Sequence, residues 1–329
     1  MITRQLGANG PIVSAIGLGC MGMSDFYGAS DRAEGVATIH AALDAGVTLL
    51  DTGDFYGMGD NEMLIAAALR SRRRDAAILS VKFGAQRDPN GNWIGFEGRP
   101  SAVKTSLAYS LKRLGVDHLD IYRPARLDPN VPIEDTIGAI ADMVKAGYVR
   151  FIGLSEVGPE TIRRAAAVHP IADLQIEYSL VSRGIEDSIL PTCRALGIGL
   201  TAYGVLSRGL ISGHWRGTPA GKGDFRATVP RFQAEHLDKN LALVDQIKRV
   251  ADAKGATVAQ IAIAWALSRG DDIVPLIGAR RRDRLAESLG ALALTLHRED
   301  LAALDEIASL VAGARYAEAQ MAHLDSKRR

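Results

Sequence analysis

The sequence predicts an α/β fold, a parallel (β/α)8 TIM barrel with an N-terminal β-hairpin and a long loop after its seventh strand. Three observations predict it. Eight short apolar runs follow one another along the chain: SAIGLGC, VTLLDT, AILSVKFG, LDIYRP, VRFIGLSE, ADLQIEYS, IGLTAYG and DIVPLIGA. They are apolar almost without alternation, as strands covered on both faces are. Segments with the spacing of amphipathic helices separate them. Eight such units suit a closed barrel better than an open sheet, so residues 1–329 read as one domain.

Taken in order, TRQLGANGPIVS sets a Gly-centred turn between two short β-like runs, which reads as a hairpin ahead of the barrel. The first barrel strand runs into GLGCMGMSDFYG, whose Gly17, Gly19 and Gly22 match G-x-G-x-x-G. An open dinucleotide-binding sheet would start a helix at those glycines; here the chain continues as a loop. DRAEGVATIHAALDAG is the first helix, with Asp31 as N-cap, Glu34 as its capping-box partner and Gly46 ending it. RPSAVKTSLAYSLKRLG repeats the plan from Ser101 to Gly115, and PIEDTIGAIADMVKAG and GPETIRRAAAVH continue it. RDPNGNWIGFEGRP, after the third strand, is an insertion that would overhang the barrel. SRGLISGHWRGTPAGKGDFRATVPRF, after the seventh, is too long for an ordinary connection and reads as a lid or cofactor strap. The tail ARYAEAQMAHLDSKRR is either a helix that closes the pocket or an exposed end.

The 39 basic and 38 acidic residues are well mixed, giving a net charge of +1. That balance argues against a nucleic-acid or membrane-surface partner. No apolar run reaches the length of a membrane span, and the N-terminus lacks the apolar stretch of a secretory signal. Cys20 and Cys193 form no CxxC, and no Cys/His cluster has ligand spacing. We therefore expect a cytoplasmic protein with no metal, acting on a small molecule; its oligomeric state is open.

In a barrel the C-terminal strand ends converge on the active site. Here they carry Asp51 followed by Tyr56, then Lys82, Arg123 to Arg126, Ser155 with Glu156, Gln175 with Glu177, and Tyr203. An unperturbed phenol titrates near pH 10, too high for ready proton transfer at neutrality. A neighbouring lysine cation favours phenolate, and a carboxylate beside the lysine keeps it charged. Asp51, Lys82 and Tyr56 thus read as a relay whose working end is a tuned phenol, able to protonate an alkoxide as hydride reaches a carbonyl carbon.

With these motifs the sequence resembles the aldo-keto reductase superfamily, from RQLGANGPIVSAIGLGCMGMS through DTGDFYG, SVKFG, GYVRFIGLSE, LQIEYSL and LTAYGVLSRG to LIGARRRDRLAESLGAL. The resemblance implies a metal-free, NAD(P)H-dependent barrel oxidoreductase that reduces aldehydes and ketones or runs in reverse as an alcohol dehydrogenase. It implies Tyr56 as general acid/base, supported by Asp51 and Lys82. Ser155, Glu156 and Gln175 would bind the nicotinamide carboxamide, and Tyr203 would stack on its ring. Gly278 to Arg284 would cradle the adenosine phosphate. Arg280, Arg281 and Arg284 make it basic, which favours NADP(H) over NAD(H). Glu287, where the family often has Glu-Asn, would face the adenine.

Two departures stand out. YRPARLDP puts Ala125 where the family has a substrate-orienting histidine. Arg126 or Arg123, a water molecule, or a pocket enlarged for a bulky substrate would have to compensate. Of His40, His118, His169, His214, His236, His297 and His323, only His214 lies in a segment that reaches the site. Glu156 also stands where many members have Asn, so Ser155 or Gln175 would have to donate to the carboxamide oxygen. Met23, Phe26, Phe55, Trp93, Arg123, Ala125 and Arg126 are candidate pocket residues, with Arg208, Gly209 and Trp215 from the long loop. Two other readings compete: a cofactor-binding regulatory or redox-sensing subunit with little turnover, and a Schiff-base lyase on Lys82, which needs a lysine of depressed pKa.

Overall fold

The computed structural model describes residues 1–24, 26–215, 217, 224–322 and 324–327. β1 (Thr3–Gln5) and β2 (Ile12–Ser14) form the antiparallel N-terminal hairpin. The barrel then begins with β3 (Gly17–Gly19), β4 (Leu49–Gly53) and β5 (Ile78–Phe83). A second hairpin, β6 (Ala85–Arg87) with β7 (Trp93–Phe96), interrupts it. The remaining barrel strands are β8 (Leu119–Pro124), β9 (Val149–Ser155), β10 (Ile171–Glu177), β11 (Gly199–Tyr203) and β12 (Ile273–Ile277). Neighbouring barrel strands pair in parallel, and β12 returns to β3 to close the ring. Each of the eight apolar runs supplies one barrel strand.

Helices α1 (Arg32–Asp44), α2 (Asp60–Leu69), α3 (Pro100–Leu114), α4 (Ile133–Lys145), α5 (Pro159–Val168) and α6 (Ile189–Ala195) connect successive strands. α7 (Ala234–Ala253) and α8 (Val258–Leu267) lie between β11 and β12. α9 (Arg282–Leu289), α10 (Arg298–Ala308) and the short α11 (Glu318–Ala322) complete the chain. None of the described helices is long and apolar enough to cross a membrane. Asp31 caps α1 as expected, accepting from the amides of Ala33 and Glu34. The Glu34 carboxylate does not close a capping box; it pairs with Arg282 instead. α3 starts at Pro100, whose missing N–H costs nothing there, rather than at Ser101.

The main core lies between the strands and the helical layer. A smaller cluster of Leu6, Val13, Leu49, Ile121, Val274 and Leu276 joins hairpin side chains to barrel strands. The hairpin therefore plugs the N-terminal end of the barrel. Arg4 ties it there through the carbonyls of Leu267 and Gly270 (3.0 and 2.9 Å). Gly7, at φ +70°, must be glycine, because a Cβ would run into the Ala172 carbonyl. With one end plugged, only the C-terminal strand ends are left to open on solvent.

Candidate active site

β4 and β5 pair in register with Gly53 opposite Lys82, which brings Asp51 and Lys82 to the same end of the barrel. Lys82 Nζ lies 2.5 Å from Asp51 Oδ1. Ser80 and Gln175 both donate to Asp51 Oδ2, at 2.9 and 2.7 Å. The chain turns sharply after β4 through Gly57, Met58 and Gly59, all at positive φ. That turn folds Tyr56 back so that Lys82 Nζ sits 5.1 Å from its ring centroid. All three are enclosed: Tyr56 is 7% exposed, Asp51 5% and Lys82 4%.

The electrostatics differ from the sequence-based expectation. Burial pushes the Tyr56 phenol well above 10, and the Asp51 carboxylate pushes it further; among the cations, Arg126 pulls it back. Burial also lowers Lys82, and Asp51 only partly offsets this. The phenol at this site is accordingly held neutral, and the expected fall in its pKa does not occur.

Phe26 meets the Tyr56 ring edge-on at 5.9 Å and Phe55 does so at 4.7 Å. Trp93, from the β6–β7 hairpin, packs on Phe55 at 5.8 Å while remaining 48% exposed. The insertion after the third strand thus overhangs the site as expected. Ala125 is buried and contributes no donor. The Arg126 guanidinium donates to the Ala125 carbonyl at 2.6 Å. It lies close enough to Tyr203, Tyr316 and Glu156 that, against the cost of burial, they hold its pKa above the usual value.

Two expected pocket residues lie elsewhere. Arg123 points into the barrel, fully buried, where it pairs with Asp173 at 2.8 Å and donates to Ser80 at 2.9 Å. Its reach carries the guanidinium below the strand ends into the barrel interior, where Ser80 links it to Asp51. Met23 ends a 3-10 turn (Met21–Met23) that tucks it into the main core beside Gly35. His214, the candidate replacement for histidine, pairs with Glu287 at 2.7 Å, on the segment assigned to the adenosine. His118 precedes β8 at the opposite end of the barrel, and His323 lies outside the described residues.

Ser155 and Glu156 end β9, beside Gln175 and Tyr203 of the next two strands. The Ser155 hydroxyl is buried and has no partner among the described residues, an open position that a bound polar ligand would satisfy. Gln175 spends its amide N–H on Asp51 rather than facing outward. Glu156, at φ +54°, is saturated. Arg315 grips it with two bonds (2.8 and 2.7 Å), and Tyr203, Ser326 and the Glu177 amide also donate to it. Burial alone would raise this carboxyl, but Arg315 and Arg126 hold it far below its usual range.

The C-terminal arm is therefore part of the site. Tyr316 meets Tyr203 hydroxyl to hydroxyl at 2.9 Å, and Asp325 accepts from the Gly158 amide at 2.8 Å. The tail matches neither reading wholly: Arg315, Tyr316, Asp325 and Ser326 pack against the strand ends, whereas the short α11 between them is mostly exposed. Arg315, Tyr316 and Ser326 had no local signature; only an isolated Arg-Tyr pair in an alanine-rich tail set them apart.

At the other end, Gly278 follows β12 and is open to solvent. Arg280 donates to the carbonyls of Tyr27 and Ala29 (3.1 and 3.3 Å). Arg281 pairs only with Asp283, and Arg284 with Glu287 at 3.1 Å, at the surface where α9 begins. Glu287 faces His214 and Arg284. The long loop reaches back over the first βα loop: Tyr27 bridges Asp224, and the Phe225 amide donates to the Phe26 carbonyl at 3.0 Å. Its described part lies against the first βα loop; residues 216 and 218–223, in the segment read as a lid or strap, lie outside the described residues.

The family model described as "Aldo/keto reductase family" matches residues 15–309. The chain is 41% identical over 317 residues to "Probable aldo-keto reductase 1" of Glycine max, across 95% of this chain and 91% of that protein. Among solved structures, the glycerol dehydrogenase AKR11B4 from Gluconobacter oxydans is similar with a TM-score of 0.84 at 28% identity, covering 99% of this chain and 97% of that one. The thermostable aldo-keto reductase Tm1743, solved with the inhibitor epalrestat, gives 0.76 at 28% identity, covering 93% and 100%.

Proposed function

The chain belongs to the aldo/keto reductase family, oxidoreductases that act on carbonyl compounds with a nicotinamide cofactor, and from that premise we propose that it is NADP(H)-dependent and uses Tyr56 as general acid and base. The observation that carries this reading is the buried Lys82, tied at 2.5 Å to Asp51 and lying 5.1 Å from the Tyr56 ring at the open end of the barrel.

The bound cofactor supplies the hydride. Tyr56, kept neutral by burial, holds the proton that the nascent alkoxide takes. Lys82 and Arg126 then stabilise the phenolate left behind, and in alcohol oxidation the same phenolate accepts the proton. Asp51 anchors Lys82 so that its cation stays beside the ring. Ser155, with its unsatisfied hydroxyl, is the donor available to the carboxamide oxygen, and Tyr203 forms the platform for the ring. Glu156 and Gln175 act one layer back, Glu156 by fixing Tyr203 and Gln175 by fixing Asp51. Arg281 and Arg284, partly exposed at the start of α9, support selection of a 2′-phosphate. Phe26, Phe55 and Trp93 exclude water from the reacting centre. Two buried, unpaired cysteines suit a reducing, cytoplasmic setting.

The missing histidine at Ala125 lends weight to a regulatory subunit, and Tyr56 beside Lys82 argues against it. The lowered pKa of Lys82 is what a Schiff-base lyase would need, but its amine is taken up by Asp51 at 2.5 Å, and the basic segment from Arg280 to Arg284 would then have no use. The test is consumption of NADPH and of NADH with a panel of aldehydes, ketones and quinones, wild type beside Tyr56→Phe. Turnover with NADPH that falls by about 100-fold or more in Tyr56→Phe is expected. Tight NADPH binding with no turnover in either direction would reject the enzyme reading.

A further inference from the structure

The innermost charged groups at the open end of the barrel do not balance. Among the described residues, Lys82, Arg126, Arg208, Arg231 and Arg315 gather there with Asp51, Glu156 and Glu177. Lys82 is matched with Asp51, Arg315 doubly with Glu156, and Arg208 with Glu177 at 3.0 Å. Arg231 is 3.9 Å from Glu177, but neutral acceptors use its N–H groups: Ser182, Ser207 and the carbonyls of Val181 and Gly313. Among the described residues Arg126 has no carboxylate at ion-pair distance, although it lies in the field of Glu156. Among them its side chain makes one hydrogen bond, to the Ala125 carbonyl, which leaves most of its five N–H donors unused.

Arg126 is half-buried with most of its donors free, so an anion that enters the site can use them without displacing another partner. Arg126 directly follows Ala125 and lies near enough to Tyr56 to act on its phenol, and Phe26, Phe55 and Trp93 pack on and beside that same ring. A guanidinium suits a carboxylate because its forked donors match both oxygens.

We propose that Arg126 is a substrate-recognition residue, and that the substrate is a carbonyl compound with a planar apolar body and a carboxylate that pairs with the Arg126 guanidinium. This rests on the carbonyl-reductase reading above. It assigns Arg126 to a part of the substrate other than the reacting oxygen, which Tyr56 serves.

The test compares carboxybenzaldehydes (meta and para) with their methyl esters at saturating NADPH, in wild type, Arg126→Met and Arg126→Lys. In wild type, kcat/KM for the better acid should exceed that for its ester by about tenfold or more. In Arg126→Met the acid-to-ester ratio should fall by about 10- to 100-fold, the range for a lost hydrogen bond to a charged group, mainly through KM. Arg126→Lys, a point charge without the fork, should recover part of it. Equal falls for acid and ester would mean that Arg126 serves the reacting oxygen or the fold, and would overturn the proposal.

Benzoate titration by calorimetry, with and without bound NADP, separates this proposal from the reductase reading. Benzoate that binds wild type and not Arg126→Met supports the site even if neither aldehyde is turned over. Benzoate that fails to bind wild type sinks it. A large loss of NADP affinity in Arg126→Met with an unchanged acid-to-ester ratio would assign the charge to the cofactor phosphates and also overturn the proposal.

Discussion

Replacing Arg315 with methionine removes the two-bond grip on Glu156 and leaves a carboxylate with a fully buried side chain. Breaking a buried pair by deleting one partner costs about 3–5 kcal/mol. Glu156 keeps three donors, the Tyr203 and Ser326 hydroxyls and the Glu177 amide, so the lower end, about 3 kcal/mol, applies. Glu156→Gln should cost no more than that, because the Arg315 cation keeps Glu177 at 3.5 Å. The double variant should cost about as much as either single, a coupling of about 3 kcal/mol, because no unmatched charge remains. The pH dependence has a definite sign. In the wild type the Glu156 carboxyl is held far below its usual range, so its stabilisation is present above the unfolded value of 4.5 and is lost as pH falls towards the folded one. Arg315→Met removes most of that depression. Its deficit should be full near neutrality and shrink below about pH 4.5. Urea unfolding of the four proteins across pH measures this. Additive single-variant costs, or a deficit that grows on acidification, would refute the reasoning.

Three further outcomes follow from the same geometry. Because burial raises Tyr56, reduction should stay flat from about pH 6 to about pH 9, whereas oxidation, which needs phenolate, should rise with pH; a pH–rate profile in both directions checks this. Arg126→Met removes a cation that favours phenolate and should shift the oxidation profile to higher pH. Arg281→Ala with Arg284→Ala should raise KM for NADPH about tenfold or more and leave KM for NADH nearly unchanged, as steady-state kinetics with both cofactors would read. Burial and Glu62 raise the Asp54 carboxyl from 3.8 to about 7, so its ionisation destabilises the fold progressively as pH rises through that window. Asp54→Asn should therefore gain about 2 kcal/mol at about pH 8, less than the full shift because the residue is half-buried, and gain little near pH 4, by chemical denaturation.

Local pattern carried most of the architecture. A buried parallel strand must be apolar on both faces, so each of the eight strands announced itself within its own few residues. The strand ends then placed Asp51, Tyr56 and Lys82 together, because a closed barrel brings every such end to one rim. The aromatic overhang of Trp93 followed from the length of the segment after the third strand. Position along a strand does not fix where a long side chain ends. Arg123, in register with Lys82, was legible as a rim residue, yet its guanidinium reaches down to Asp173 and Ser80. Met23 looked like loop and is core, because a single 3-10 turn rotates it inward.

The sequence by itself determined the barrel, the hairpin ahead of it and the acid, lysine and phenol at its open end, since each depends on contacts within a strand, a turn or a neighbouring strand. Only the tertiary structure decided the charge state and the partners of the site. The pKa of Tyr56 rises because burial outweighs the nearby cations, a balance no spacing encodes. Glu156 is saturated by Arg315 from 159 residues away, and Gln175 is turned to Asp51 across 124. Pairings at such separations leave no periodicity in the chain; they arise only when the folded barrel brings its C-terminal arm over its open end.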